Sequence, residues 1–153
     1  MEPSIQRCVP EQSEQLTRIA HAAKRHWGYP ESYIEAWRPG LTVPPEMIRE
    51  HHVYGAQIDG ELVGFYVLIE QGERMELEHM WISPEWIRRG VGRQLMHHAI
   101  ELSGALGCVA LDITSDPNAE AFYVGLGARR VDRVFSPVEG RERYLPRLEL
   151  PIR

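Results

Sequence analysis

The sequence predicts a mixed α/β layer fold, and three observations carry that expectation. Asp59-Gly60 lies between two apolar runs, residues 53–58 and 61–70, and an Asp-Gly pair so placed is a strong hairpin signal because both positions must accept positive φ. Val91, Leu95, Ala99, Leu102 and Leu106 step at helical spacing and Gly107 follows them, which is the pattern of a long amphipathic helix with a glycine stop. In the second half, apolar runs with strand character alternate with helical ones, so strands and helices share one layered architecture.

Each element follows from local signals. Residues 5–9 alternate apolar and polar and read as a first strand. Pro10 suits the first position of a helix, and Glu11 and Glu14 sit where the helix dipole favours acids. Leu16, Ile19, Ala20, Ala23 and Trp27 fall on one face, and Gly28 ends that helix. Residues 31–37 read as a second short helix broken by Pro39-Gly40, and Pro44-Pro45 opens a third that runs to about residue 51. After the hairpin, Gln71-Gly72-Glu73-Arg74 makes another turn, residues 75–82 form a fourth strand, and Ser83-Pro84 ends it. The long helix starts near Gly90. Residues 108–113 read as a buried strand, Asp116-Pro117-Asn118 as a cap for a short helix ending at Leu126-Gly127, and residues 128–135 and 143–150 as two closing strands.

The totals set bounds on function. A chain of 153 residues fits a single domain, 1–153, with one core. No apolar run reaches the length of a membrane span, and the first residues carry early acids with no greasy stretch, so a cytoplasmic location without a secretory signal is expected. Cys8 and Cys108 sit in strand-like surroundings and are expected to be buried free thiols in a reducing compartment. A net charge of -5 argues against a general nucleic-acid binder. A polyanionic ligand still fits if positive charge is concentrated locally.

Such a concentration lies at Arg88-Arg89-Gly90-Val91-Gly92-Arg93. The two glycines let the backbone pass close to a ligand. The first amides of the following helix lack intrahelical acceptors and point at an anion, while the arginines add charge and forked donors. Taken alone, the segment is equally a capped helix with a solvated basic turn. A Walker loop is excluded because Gly92 is followed by Arg-Gln rather than Lys-Ser/Thr, and a dinucleotide fingerprint lacks its third glycine. A second segment runs from Asp116 to Ala128. In it Ala119, Phe122 and Leu126 share a face expected to be core, and Tyr123 lies to one side, where its ordinary fate is packing with the hydroxyl in water. On the fourth strand Glu76 and Glu78 share one face, and Leu77, His79 and Trp81 the other. The remaining histidines read as surface residues, and the adjacent pairs His51-His52 and His97-His98 make poor metal sites, so no metal is expected.

Together these segments resemble the GNAT N-acetyltransferase family: the strand Leu77-Glu78-His79-Met80-Trp81-Ile82, then Ser83-Pro84, then Arg88-Arg89-Gly90-Val91-Gly92, then Asn118-Ala119, Phe122-Tyr123 and Leu126-Gly127-Ala128. The likeness is strongest over about residues 53–130, and the closing Arg143-x-Leu145-Pro146 looks like one bacterial branch of small members. The resemblance implies a mostly antiparallel twisted central sheet with helices on both faces, with acetyl-CoA as co-substrate and a primary amine on a small molecule or a protein as acceptor. It implies that the turn amides at Gly90, Val91 and Gly92, with Arg88, Arg89 and Arg93, cradle the CoA pyrophosphate. The family's first turn position, usually Gln or Arg, falls here on Ile87, which shifts weight from that side chain to the backbone. Met80, Trp81 and Ile82 would bond the pantetheine arm through their backbone, and an N–H near Met80 or Trp81 would meet the oxyanion. Tyr123 matches the tyrosine near the cofactor sulfur, Phe122 lies beside it, and Asn118 stands near the family's helix-start asparagine, with a capping role as the alternative. Glu78 stands where related enzymes place a base, with His79 behind it. The region of Trp27, Tyr29 and Trp37 walls the acceptor side or packs in the core. A non-catalytic acyl-CoA sensor of the same fold is the rival reading, and a homodimer through the C-terminal strands is expected as a possible partner state.

Overall fold

A computed structural model describes residues 2–152. Its sheet has seven strands: β1 (Ser4–Arg7), β2 (His52–Ile58), β3 (Glu61–Gln71), β4 (Arg74–Ile82), β5 (Ala110–Thr114), β6 (Arg129–Phe135) and β7 (Tyr144–Pro151). They are ordered β1-β2-β3-β4-β5-β7-β6. The helices are α1 (Ser13–His26), α2 (Glu31–Leu41), α3 (Pro45–Glu50), α4 (Val91–Ala105) and α5 (Glu120–Gly125). The mixed α/β class and a mostly antiparallel sheet are as expected from sequence: β1–β2, β2–β3, β5–β7 and β6–β7 pair antiparallel, and β4–β5 pair parallel.

The chain divides into two compact units, one of residues up to Leu68 with His79–Ala99, the other of Ile69–Glu78 with residues from Ile100 on. In the first, the hairpin turn is where the Asp-Gly pair places it, with φ of 52° at Asp59 and 80° at Gly60. Pro10 opens a short 3-10 turn, and Gln12 Oε1 accepts the Val9 amide at 2.9 Å, satisfying a donor that the helix itself cannot. The expected face of α1 is buried at Leu16, Ile19, Ala20 and Ala23, and it joins Ile34, Ile48, Val53, Phe65, Val67, Leu95 and Met96 in one core. In the second, Met75, Leu77, Leu111, Ile113, Leu148 and Leu150 form the buried set.

Three expectations need correction here. The second helix does not stop at Pro39-Gly40; it runs to Leu41. Pro39 lies in the last turn, so it forfeits only one backbone bond, and burial of Ile34 and Leu41 on the same helix outweighs the local break. Not all the remaining histidines are surface residues. His21 is buried on α1, and His98 Nδ1 lies 2.7 Å from the Tyr66 hydroxyl, with its ring 4.7 Å from that of Tyr54. Leu106 lies just past the end of α4 and is exposed, and Leu102 is only half-buried, so the long helix buries two positions fewer than its spacing suggests. Both cysteines are free and buried, as expected, and burial pushes the Cys8 thiol up to about 11, which keeps it inert.

In the second unit an ion-pair lattice runs across one sheet face. Arg74 forks onto Asp112 (2.7 and 2.8 Å) and also pairs with Glu149, which accepts from Arg129 at 3.0 Å. Arg147 forks onto Glu76, both bonds at 2.8 Å. The guanidinium groups hold Asp112 and Glu149 below the usual carboxylate range. No helix among the described residues is long and apolar enough to cross a membrane.

Candidate active site

The end of β4 from His79 on and the turn expected to cradle an anion form one continuous stretch of the first unit. The β4–β5 ladder runs from Arg74↔Ala110 to Leu77↔Ile113, while β4 itself continues to Ile82. Beyond Leu77, therefore, the β4 backbone leaves that ladder, and Met80, Trp81 and Ile82 lie in the portion that does so. Ser83 donates its amide to the Val63 carbonyl at 2.9 Å, which holds this end of β4 on β3. Close approach there depends on Gly64: a Cβ at that position would lie 2.8 Å from Ile82 Cδ1 and 3.0 Å from the Trp81 carbonyl oxygen.

A 3-10 turn, Pro84–Trp86, follows the strand, and sequence periodicity is too short to show it. Arg88 then adopts φ of 66°, a left-handed conformation rare for a side-chain-bearing residue, and Gly90 adopts φ of 86°. This double reversal delivers the chain to the start of α4. The Gln94 amide bonds the Gly90 carbonyl at 3.1 Å, so the preceding amides of Val91, Gly92 and Arg93 have no acceptor within the helix. Val91 is fully buried and anchors the helix end. A Cβ at Gly90 would meet nothing within 4 Å, so space opens in front of the turn. Arg88 and Arg93 are exposed, whereas the Arg89 guanidinium lies 5.1 Å from the Trp86 ring centroid.

His79 and Trp81 form a pair on β4. The Trp81 indole donates to His79 Nδ1 at 2.9 Å, which leaves the imidazole proton on Nε2. Burial lowers the His79 pKa to about 4. His79 is thus neutral at physiological pH, with one nitrogen already used, and is a poor base. The folded state resists the proton that the unfolded chain accepts at 6.5, so stability is full above that pH and falls as pH drops towards about 4. We expect His79→Gln to abolish that part of the acid slope, on the order of 3 kcal/mol, as read from denaturant midpoints across the window.

One feature of this unit was not visible in the sequence. The Lys24 ammonium, on a buried residue of α1, lies 4.6 Å from the Trp37 ring centroid, 5.1 Å from Tyr29 and 5.9 Å from Trp81. Tyr29, Tyr33 and Trp37 also pack on one another, with Tyr29 and Trp37 centroids 4.9 Å apart. Trp27, in contrast, is partly exposed and meets the His26 ring edge-on. The sequence marked the region through Trp27, Tyr29 and Trp37, but Tyr33 and the lysine among the rings carry no such signal.

The other site residues belong to the second unit. Glu78 is exposed on β4. Glu76, on the same face, is no solvated acid, because Arg147 holds both its oxygens. Asp116 Oδ1 accepts from the Asn118 amide at 2.8 Å and from its Nδ2 at 2.9 Å, so Asn118 is engaged within the cap. The face of α5 differs from expectation: Tyr123 is buried, at 6% exposure, and Phe122 is exposed. The reason is a 3-10 turn at Pro117–Ala119, which advances the chain by three residues per turn and shifts the phase of the helix behind it. Burial, and after it the Asp116 charge, pushes the Tyr123 phenol above its ordinary value.

Comparison with known proteins places this geometry. The acetyltransferase (GNAT) family model matches residues 14–128. An uncharacterized protein of Mycobacterium leprae is 27% identical over 119 residues, 72% of this chain, and the chain spans about a third (33%) of that curated relative. A GCN5-related N-acetyltransferase structure from Rhodopseudomonas palustris superposes with a TM-score of 0.83 at 20% identity, covering 99% of this chain and 97% of that one. The PaiA N-acetyltransferase of Thermoplasma acidophilum, solved with coenzyme A, gives 0.80 at 21% identity and covers 99% of both chains. The strand end, the double-reversed turn and the match across most of its length together make this chain a member of the GNAT acetyltransferase family.

Proposed function

We propose that the protein transfers an acetyl group from acetyl-CoA to a primary amine within a ternary complex. The observation that carries this reading is the run of Val91, Gly92 and Arg93 amides behind the open turn at Gly90, a cradle suited to a pyrophosphate. Family membership supports the acyl-CoA, as does the coenzyme A found with the Thermoplasma relative. Arg88 and Arg93 supply exposed charge for the phosphates, while Gly90 keeps the approach open. Arg89, lying against Trp86, contributes from the turn's flank. The β4 backbone at Met80, Trp81 and Ile82 bonds the pantetheine arm, and an N–H near Met80 or Trp81 faces the developing oxyanion. Asn118 shapes the start of α5, and Phe122 offers an exposed ring beside Tyr123.

The amine nitrogen attacks the thioester carbonyl, the C–S bond breaks, and the sulfur leaves with its electron pair. The Tyr123 hydroxyl stays protonated through neutral and mildly alkaline pH, so it donates to that sulfur. Glu78 is the carboxylate that takes the amine's proton, directly or through water, since His79 is held neutral and Glu76 is tied to Arg147. The aromatic cluster of Tyr29, Tyr33 and Trp37 walls the acceptor side.

Arg88→Ala with Arg93→Ala is expected to weaken CoA binding by roughly tenfold per residue and to flatten its salt dependence. Calorimetric titration at two ionic strengths reads both, and unchanged affinity contradicts the cradle. Incubation with labelled acetyl-CoA and an amine panel, followed by mass spectrometry, is expected to yield an acetylated amine. CoA binding with no acetylated product would identify a sensor instead.

A further inference from the structure

Resting on the acetyl-transfer reading above, we propose that Lys24 fixes the class of acceptor: the amine is a small molecule that also carries a carboxylate, and the Lys24 ammonium binds that carboxylate.

Local structure carries Lys24 to its place. It lies in the last turn of α1, where the helix dipole favours a cation. Gly28 closes that helix with φ of 83° and turns the chain back, so α2 packs on α1. Tyr29, Tyr33 and Trp37 then recur at every fourth position and make one row of rings. α1 also packs on the 3-10 turn Pro84–Trp86 that follows β4, which brings the end of that strand within reach. The Lys24 ammonium lies 4.6 Å from the Trp37 ring centroid and 5.9 Å from that of Trp81, so it bridges the aromatic row and the end of β4. The Trp81 ring is itself held, because its indole donates to His79 Nδ1 at 2.9 Å. The cation and its rings are therefore ordered before any acceptor arrives, and binding need not order them.

This arrangement suits an anion. The faces of the rings attract a cation, so the cluster keeps Lys24 as an ammonium, a binder of anions rather than a nucleophile. Lys24 is 8% exposed, whereas Tyr29, Trp37 and Trp81 are half-buried. A carboxylate that reaches the ammonium meets it away from bulk water, where a charge-assisted hydrogen bond is stronger. The neighbouring helix does not repel it. Both acids of α2 are neutralised by arginines, Glu31 by Arg25 at 2.8 Å and Glu35 by Arg38. The same ammonium repels a second positive charge, so a polyamine is selected against.

Position also limits the size of the acceptor. Trp81 belongs to the part of β4 proposed to bond the pantetheine arm, and the ammonium lies against its ring. A carboxylate on Lys24 and an amine at the thioester are then spanned by one short molecule, which points to a free amino acid.

Kinetics with labelled acetyl-CoA on matched amines tests the assignment. The probes are phenylalanine against phenethylamine, leucine against isopentylamine, and putrescine as a doubly charged amine. The wild type is expected to prefer the amino acid of each pair by about tenfold or more in kcat/KM, the scale of one hydrogen bond to a charged group, and to use putrescine least. Lys24→Met keeps a stem of similar length and removes the charge. It should cancel the preference by raising KM for the amino acids, with CoA affinity by calorimetry unchanged, a split that lost packing alone does not produce. A wild type that acetylates amines with no preference for the carboxylate overturns the proposal and leaves the acetyl-transfer reading standing. So does a preference that survives Lys24→Met. CoA binding with no acetylated amine in the panel overturns that reading, and the proposal falls with it.

Discussion

Replacing Tyr123 by Phe is expected to lower turnover by about 100-fold or more while CoA affinity stays within about twofold of wild type. The residue is buried on α5, and the change removes one oxygen with little change of shape. Burial disfavours the phenolate, so the O–H is retained over the working pH range and meets the sulfur only as negative charge builds on it. An interaction that grows along the reaction shows in kcat, and one made equally in the ground state shows in KM. Steady-state kinetics with parallel calorimetry separates the two. A Tyr123→Phe protein with wild-type turnover would remove Tyr123 from the chemistry and leave it a packing residue.

Gly64→Val is expected to reach the same site through packing. Its first added carbon would lie 3.0 Å from the Trp81 carbonyl, a backbone atom that cannot rotate away, and 2.8 Å from Ile82 Cδ1. Either β4 shifts away from β3, or both strands strain. Overpacking of this kind costs roughly 1–3 kcal/mol, and in a chain of this size that lowers Tm by roughly 5 °C. Because the displaced segment is the one proposed to bond pantetheine, CoA affinity should fall as well. Gly40→Ala is the control: a Cβ there meets nothing within 4 Å, and the site lies inside α2, so stability should be unchanged or rise by up to about 1 kcal/mol. Equal melting of Gly64→Val and wild type would remove the close approach from the account.

Much of this fold was legible in the sequence because its signals are local. Asp59-Gly60 specifies its own turn, and the step from Val91 to Leu102 specifies a helix before any partner is known. The glycines at 90 and 92 likewise marked the turn, since backbone that must approach a ligand is written in residue type. What could not be read depends on neighbours distant in sequence. Pro39 is tolerated in α2 because Leu41 beyond it finds a core. The buried face of α5 follows from a short 3-10 turn that shifts its phase, which exchanged the expected positions of Phe122 and Tyr123. Alternation puts Glu76 on the same face as Glu78, but Arg147, far along the chain, holds Glu76 alone by both oxygens. The left-handed Arg88 and the lysine among aromatic rings carry no pattern at all.

On the proposed function, backbone amides at the start of α4 hold the pyrophosphate of an acyl-CoA. Amide NMR of isotopically labelled protein titrated with CoA tests it most directly. The expected result is that the Val91, Gly92 and Arg93 resonances shift most, with Gly90 and the β4 amides near Trp81 following. CoA binding that leaves Val91, Gly92 and Arg93 unmoved would contradict it.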